Sequence, residues 1–293
     1  MSVIATVPPR HPSTDATAAD SPAARTDAPT PTAGASSAVR FERVGRTFPS
    51  DAGPRTVLRE IDLEIAPGEI LAILGASGCG KSTLLRAAAG LDRGFSGSVV
   101  IGERPVRPYD ERTAVGFQEP RLLPWRTIER NVALGLPRGT PRREGAEHVA
   151  QLLDLVGLSA AAQRRPREVS GGMAQRASLA RALARRPEVL LLDEPFGALD
   201  ALTRLKMQDL LLDVHAATQT TVLLVTHDVE EAVQLADRIL LLGADPEHPE
   251  TPGATMRQLL RIPGERPRDR SSAELAALRS SLLEGLGVDA HRR

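Results

Sequence analysis

Within eight residues, Gly75-Ala76-Ser77-Gly78-Cys79-Gly80-Lys81-Ser82, the chain sets three glycines and then a lysine followed by a serine hydroxyl. This spacing, G-x-x-x-x-G-K-[ST], belongs to a loop whose backbone N–H groups turn inward around phosphate oxygens. The apolar run 70–74 before it reads as a strand, and 81–89 after it as a helix whose positive end adds to the anion site. There Lys81 would reach the β- and γ-phosphates and the Ser82 hydroxyl would ligate Mg²⁺. The plain alternative is an ordinary glycine turn ahead of a helix. Cys79, inside the loop, reads as a small filler rather than a nucleophile.

Two further segments carry compatible chemistry. Val189-Leu190-Leu191-Leu192-Asp193-Glu194 is an apolar strand ending in two carboxylates, which alone would be an ordinary strand with a solvated acidic end. Beside a phosphate loop, Asp193 would hold the Mg²⁺ shell and Glu194 would polarise an attacking water. Neighbours on a strand point to opposite faces and can divide those roles. Val169-Ser170-Gly171-Gly172-Met173-Ala174-Gln175-Arg176 puts Ser-Gly-Gly at the start of a helix, either a second anion site or a simple N-cap.

Together these segments resemble the Walker A, Walker B and LSGGQ elements of the ABC ATPases, with Val169 for the usual Leu and Met173 for the usual Gln. The resemblance covers about residues 38–245. It implies an α/β P-loop NTPase of the ABC type. Such a domain has a RecA-like, mostly parallel core sheet, an antiparallel β subdomain and an α-helical signature subdomain. It also implies ATP and Mg²⁺ as ligands, and a head-to-tail pair of copies. Each ATP would lie between the phosphate loop of one copy, Gly75 to Ser82 with Thr83, and Ser170-Gly171-Gly172 of the other. In that reading Phe48 stacks on adenine, Lys81 binds phosphate, and Glu194 is the general base. His227 clamps the γ-phosphate, Gln118 senses metal and water, and Asp200 in Gly197-Ala198-Leu199-Asp200 signals across the pair.

Arg121-Leu122-Leu123-Pro124-Trp125, with residues 197–204 and 207–210, is similar to the nitrate/sulfonate/taurine importer subfamily. That likeness implies two membrane-spanning permease partners and, indirectly, an extracytoplasmic substrate-binding protein. The cargo implied is a small organic anion, aliphatic sulfonates first, with nitrate, taurine or a thiamine precursor as alternatives. Trp125 would either fill a small core or line a groove for a permease helix.

The elements that must position these groups are legible as patterns. Residues 39–44 and 57–65 alternate, as half-buried antiparallel strands do. Runs 70–74, 189–192, 222–225 and 239–242 are apolar on both faces, as parallel strands covered on both sides are. Helices are expected at 81–89, 146–156, 174–184, 201–217, 229–236 and 273–286, with no element read between about 243 and 273. The domain reading is a disordered tail 1–37 rich in Ala, Pro, Thr, Ser and Asp, an ATPase domain 38–265 with its helical part at about 118–185, and a helical extension 266–293.

Composition closes off other classes. Zero formal net charge argues against a nucleic-acid surface, and one cysteine excludes an internal disulfide or a multi-cysteine zinc site. No apolar run reaches membrane-spanning length and no secretory signal is seen, so the expected place is the cytoplasmic face of the membrane. Among the basic residues only Lys81 and Lys206 are lysine. A DNA-repair, chromosome or translation ATPase is disfavoured by the short interval from Lys81 to Ser170, the missing cysteine clusters and the single phosphate loop. An exporter would share every core motif.

Overall fold

A computed structural model describes residues 36–51 and 53–287. Of the tail expected to be disordered, residues 1–35 lie outside the described part. Ser37 is already anchored: its hydroxyl donates to Glu188 Oε2 at 2.6 Å, and its carbonyl accepts from Thr221 Oγ1 at 2.7 Å.

Among the described residues, ten strands form two sheets. β1 (Val39–Phe48), β2 (Arg55–Ile65), β4 (Phe95–Ile101) and β5 (Arg104–Pro105) make an antiparallel sheet in the order β2-β1-β4-β5. β3 (Ile70–Leu74), β6 (Thr113–Phe117), β7 (Val189–Asp193), β8 (Thr221–Val225), β9 (Arg238–Gly243) and β10 (Thr255–Arg261) make the second, ordered β10-β9-β3-β8-β7-β6. All its pairs are parallel except the edge strand β10 on β9.

The unbroken apolar runs follow from burial on both faces. Ile70, Ala72 and Leu74 of β3 face one core together with Leu190 and Leu192, Val222 and Leu224, and Ile239 and Leu241. The alternate residues, Leu71, Ile73, Leu191, Leu223 and Leu240, face a second core shared with the antiparallel sheet and α1 (Lys81–Ala88). Each fully buried Leu, Ile or Val contributes about 1.5–3 kcal/mol of transfer free energy. A polar residue on either face would therefore break a layer.

On the first face pack α2 (Ile128–Val132), α3 (Arg142–Leu155), α4 (Gly171–Leu183), α5 (Ala201–Thr218), α6 (Val229–Leu235) and α7 (Ala273–Gly285). The helix expected at 273–286 buries Leu275 and Leu282. Five strands and helices had no sequence reading: β4, β5, β6, α2 and β10. β10 is a half-exposed edge strand with little alternation, and β4 is interrupted by Gly97, where a Cβ would meet the Glu42 carbonyl oxygen at 2.3 Å.

One arginine ties the antiparallel sheet to the start of β6. Arg112, just before β6, donates to the carbonyls of Ile101 at 2.6 Å and Pro105 at 3.1 Å, and to Asp110 Oδ2 at 2.6 Å. Burial alone would raise Asp110. Hydrogen bonds from the Arg112 side chain and from the Arg107 and Arg112 amides outweigh it and hold the carboxyl at about 2, against an ordinary 3.8. The folded value is depressed, so this group's stabilisation is complete above the unfolded value and is lost as pH falls from near 4 through 2. Asp110→Asn should therefore melt below wild type at neutral pH, with the gap narrowing between pH 4 and pH 2, as thermal melts across that range would record.

Candidate functional site

Register puts the chemistry in one row. Ile73 of β3 lies opposite Val225 of β8, Val225 opposite Asp193 of β7, and Asp193 opposite Phe117 of β6. The residues that follow these strand ends are Gly75, Thr226-His227, Glu194 and Gln118. Residues distant in sequence thus meet beyond the carboxyl edge of a parallel sheet, where such sheets bind ligands.

Gly75 sits where nothing larger fits: a Cβ would lie 2.4 Å from the Leu242 carbonyl oxygen and 2.6 Å from Cys79 Sγ. Gly78 (φ 76°) and Gly80 (φ 108°) supply left-handed turns that other residues resist. Ala76, Ser77 and Gly78 face solvent, and Thr83 is half-buried in the first turn of α1. That helix has no side-chain cap and no acidic residue in its first turn, whereas α2, α4, α5 and α6 are capped by Thr127, Ser170, Asp200 and Asp228. Uncapped N–H groups and a positive helix end are chemically suited to an anion. Lys81, 6% exposed, donates through Nζ to the carbonyls of Gly75 at 2.8 Å and Ala76 at 3.0 Å. Burial pushes the Cys79 thiol up, with Lys81 opposing, so its reactive thiolate is disfavoured.

Asp193 and Glu194 have different partners. Ser82 Oγ donates to Asp193 Oδ1 at 2.8 Å, joining the glycine loop to the end of β7. Glu194 leaves the strand with φ 48°, a left-handed conformation costly for a non-glycine residue, while its N–H still bonds the Val225 carbonyl at 2.9 Å. The bend turns its carboxylate to His227, whose Nδ1 lies 3.1 Å from Glu194 Oε2. The His227 ring is itself exposed.

Gln118 is exposed, and its Nε2 would lie 3.0 Å from a Cβ on Gly197, so it borders the turn that follows Glu194. Asp200 caps α5, accepting the Thr203 N–H at 3.0 Å, and those hydrogen bonds hold its carboxyl below the ordinary range. Ser170 caps α4, accepting the Met173 N–H at 3.3 Å. Phe48 ends β1 with the Arg46 guanidinium 3.9 Å from its ring centroid. Trp125 is 69% exposed, which rules out the small-core alternative.

Sequence reasoning gave no role to two side chains of α4. Gln175 Nε2 donates to the Phe117 carbonyl at 3.0 Å, and Arg181 donates to the carbonyls of Pro120 and Arg121, both at 2.8 Å. The helix begun by Ser170 thus clasps the segment around Gln118. Gln175 lay inside the Ser-Gly-Gly segment, but its spacing alone names no partner. A larger concavity, lined by His215, Asp237 and Arg266 among others, shares no residue with this site.

Gly172 is the tightest contact of that helix start: a Cβ there would lie 2.4 Å from Thr203 Cγ2 in the first turn of α5. Gly172→Ala should lower stability by about 1–3 kcal/mol, as overpacking does, and should slow ATP turnover. Thr203→Ser, which removes the opposing methyl, should restore much of both. A Gly172→Ala protein with wild-type melting would contradict the contact.

Residues 58–197 match the ABC transporter family. The chain is 50% identical to the aliphatic sulfonates import ATP-binding protein SsuB 1 of Streptomyces avermitilis, over 87% of this chain and 88% of that one. It is 52% identical to SsuB 3 of Nocardia farcinica (86% and 92% covered) and 40% identical to the nitrate import ATP-binding protein NrtD of Synechococcus elongatus (85% and 91%). Among solved structures, a dimeric ATP-binding cassette in a post-hydrolysis state bound to ADP and Pi superimposes with TM-score 0.65 at 30% identity, covering 78% of this chain and all of that one. With these likenesses spanning the fold and the row of site residues, the chain belongs to the ATP-binding proteins of the ABC transporter family.

Proposed function

We propose that two copies of this chain hydrolyse ATP at their interface and thereby drive uptake of aliphatic sulfonates through a pair of membrane-spanning permease subunits. The observation that carries the cargo is near-complete-length identity of 48–52% to several aliphatic sulfonate import proteins, against 40% to a nitrate import protein. The nitrate likeness keeps that anion as the second reading.

In this reading the uncapped end of α1, the loop 75–80 and Lys81 bind the β- and γ-phosphates, and Phe48 meets the adenine. A hydroxyl and a carboxylate held together are the hard oxygen donors Mg²⁺ takes, so Ser82 and Asp193 fit the ion, with Gln118 near the same edge. Bound there, Mg²⁺ would neutralise phosphate charge. Glu194 accepts the proton of the attacking water, and His227 holds that carboxylate through Nδ1 while its exposed ring faces the phosphate. Ser170-Gly171-Gly172 of the second copy closes the site from the other side. Gly171 suits this, since a Cβ there would meet nothing within 4 Å. Asp200 lies in the turn facing that copy.

Among the described residues no helix is long and apolar enough to cross a membrane, so transport requires a partner that does. A groove lined by Leu91, Tyr109, Val115, Phe117 and Gly135, with Leu91 42% and Tyr109 77% exposed, supports the docking of a cytoplasmic permease segment beside Gln118. Trp125, exposed in the segment that follows Gln118, offers a further apolar anchor. Buried Asn131 fixes its loop, accepting from the Leu123 N–H at 2.7 Å and donating to the carbonyls of Leu123, Arg126 and Thr127. An extracytoplasmic binding protein would deliver the cargo.

The test is growth of a deletion strain on an alkanesulfonate as sole sulfur source. Wild type should restore growth and Lys81→Ala should not. Restored growth with Lys81→Ala would overturn the phosphate-site reading. Unimpaired growth of the deletion strain, together with failure to use nitrate, would move the cargo to the second reading.

A further inference from the structure

Arg204 lies in the first turn of α5, four residues after Asp200, and its half-buried side chain turns toward the 197–200 turn and the start of α6. Its Nη2 donates to the Leu199 carbonyl at 3.3 Å, inside the Gly197–Asp200 turn. Its Nη1 lies 3.4 Å from Asp228 Oδ2, the residue next to His227. Its Nε is buried without a hydrogen-bond partner, with Glu231 Oε1 still 3.7 Å away.

Both carboxylates that face it govern the His227 segment. Asp228 Oδ1 caps α6, accepting from the N–H groups of Glu230 at 2.8 Å and Glu231 at 3.3 Å. Glu231, 4% exposed, accepts from Thr226 Oγ1 at 2.6 Å, and that hydroxyl accepts the Asp228 N–H at 3.0 Å. Thr226, His227 and Asp228 are therefore held by one network whose cation comes from α5. The same first turn of α6 is also held at Glu230, which Arg279 of α7 bonds and which Arg270, just before α7, approaches to 4.0 Å. The end of α6 beside His227 is thus tied to α5 through Arg204 and to α7 through Glu230.

We propose that Arg204 is a positioning residue that couples the 197–200 turn to His227, so that the turn's contact with a second copy sets the histidine in the same chain. The open Nε–Glu231 distance is the slack in this link. A shift of the turn by a few tenths of an ångström toward α6 brings Nε within hydrogen-bond reach and draws the Thr226–Asp228 segment with it. The inference rests on the proposed roles of His227 and Glu194, and deepens them.

The test compares ATP turnover and thermal midpoint of full-length Arg204→Gln and Arg204→Lys, each alone and combined with His227→Ala. Arg204→Gln should lower kcat about 10-fold with KM for ATP within about twofold, because binding groups are untouched. Arg204→Lys, which keeps the charge, should recover part of the loss. Over His227→Ala the Arg204→Gln effect should disappear, since residues acting as a unit are not additive. Where Arg204→Gln fails to fold, Asp228→Asn keeps the α6 cap, removes the facing charge and should reproduce the same kcat loss. Wild-type kcat in Arg204→Gln, or an equal loss with and without His227, would overturn the coupling. Wild-type turnover in His227→Ala with Arg204 intact would overturn the site reading beneath it, and that result is read without touching Arg204.

Discussion

Parallel pairing of β3, β8, β7 and β6 in one register is the constraint on which everything else depends. It sets Ile73, Val225, Asp193 and Phe117 in one row, so the chain leaves the sheet four times at a common edge. Because both faces are buried, a one-residue slip would exchange two packed layers, and the register is strongly specified. The glycine loop, the two carboxylates, His227 and Gln118 inherit their proximity from that fact rather than from contacts with one another.

The antiparallel sheet and the helices then act on this row from two sides. Arg112 fastens the antiparallel sheet to the start of β6. α4 holds the segment 117–121 through Gln175 and Arg181, and its first turn packs Gly172 against Thr203. The start of α4 and the start of α5 are thus neighbours, and α5 reaches Asp228, next to His227, through Arg204. In the proposed pair, the surfaces offered to the second copy are mechanically joined to the groups that act on ATP in the first.

Much of the fold could be read from the sequence because strands buried on both faces write themselves as unbroken Leu, Ile and Val runs. Such runs stand at 70–74, 189–192, 222–225 and 239–242, and each lies within a central strand. β10 could not be read, since an edge strand with mixed exposure leaves no period. β4 could not, since Gly97 and two serines interrupt it. At the site, the glycine loop and the acidic strand end were legible because phosphate and metal chemistry demand particular residue types at fixed spacing. The partners of Gln175, Arg181 and Arg204 were not, because they are backbone carbonyls or helix-cap carboxylates distant in sequence, and no local pattern announces them.

In the proposed pair one chain carries half of each ATP site, and the γ-phosphate joins the two halves. Sedimentation velocity of the full-length Glu194→Gln protein, which keeps the shape of the site and loses the proton acceptor, tests it with Mg²⁺-ATP and with Mg²⁺-ADP. A dimer with ATP that reverts to monomer with ADP is expected. A protein that stays monomeric at saturating ATP would contradict the claim.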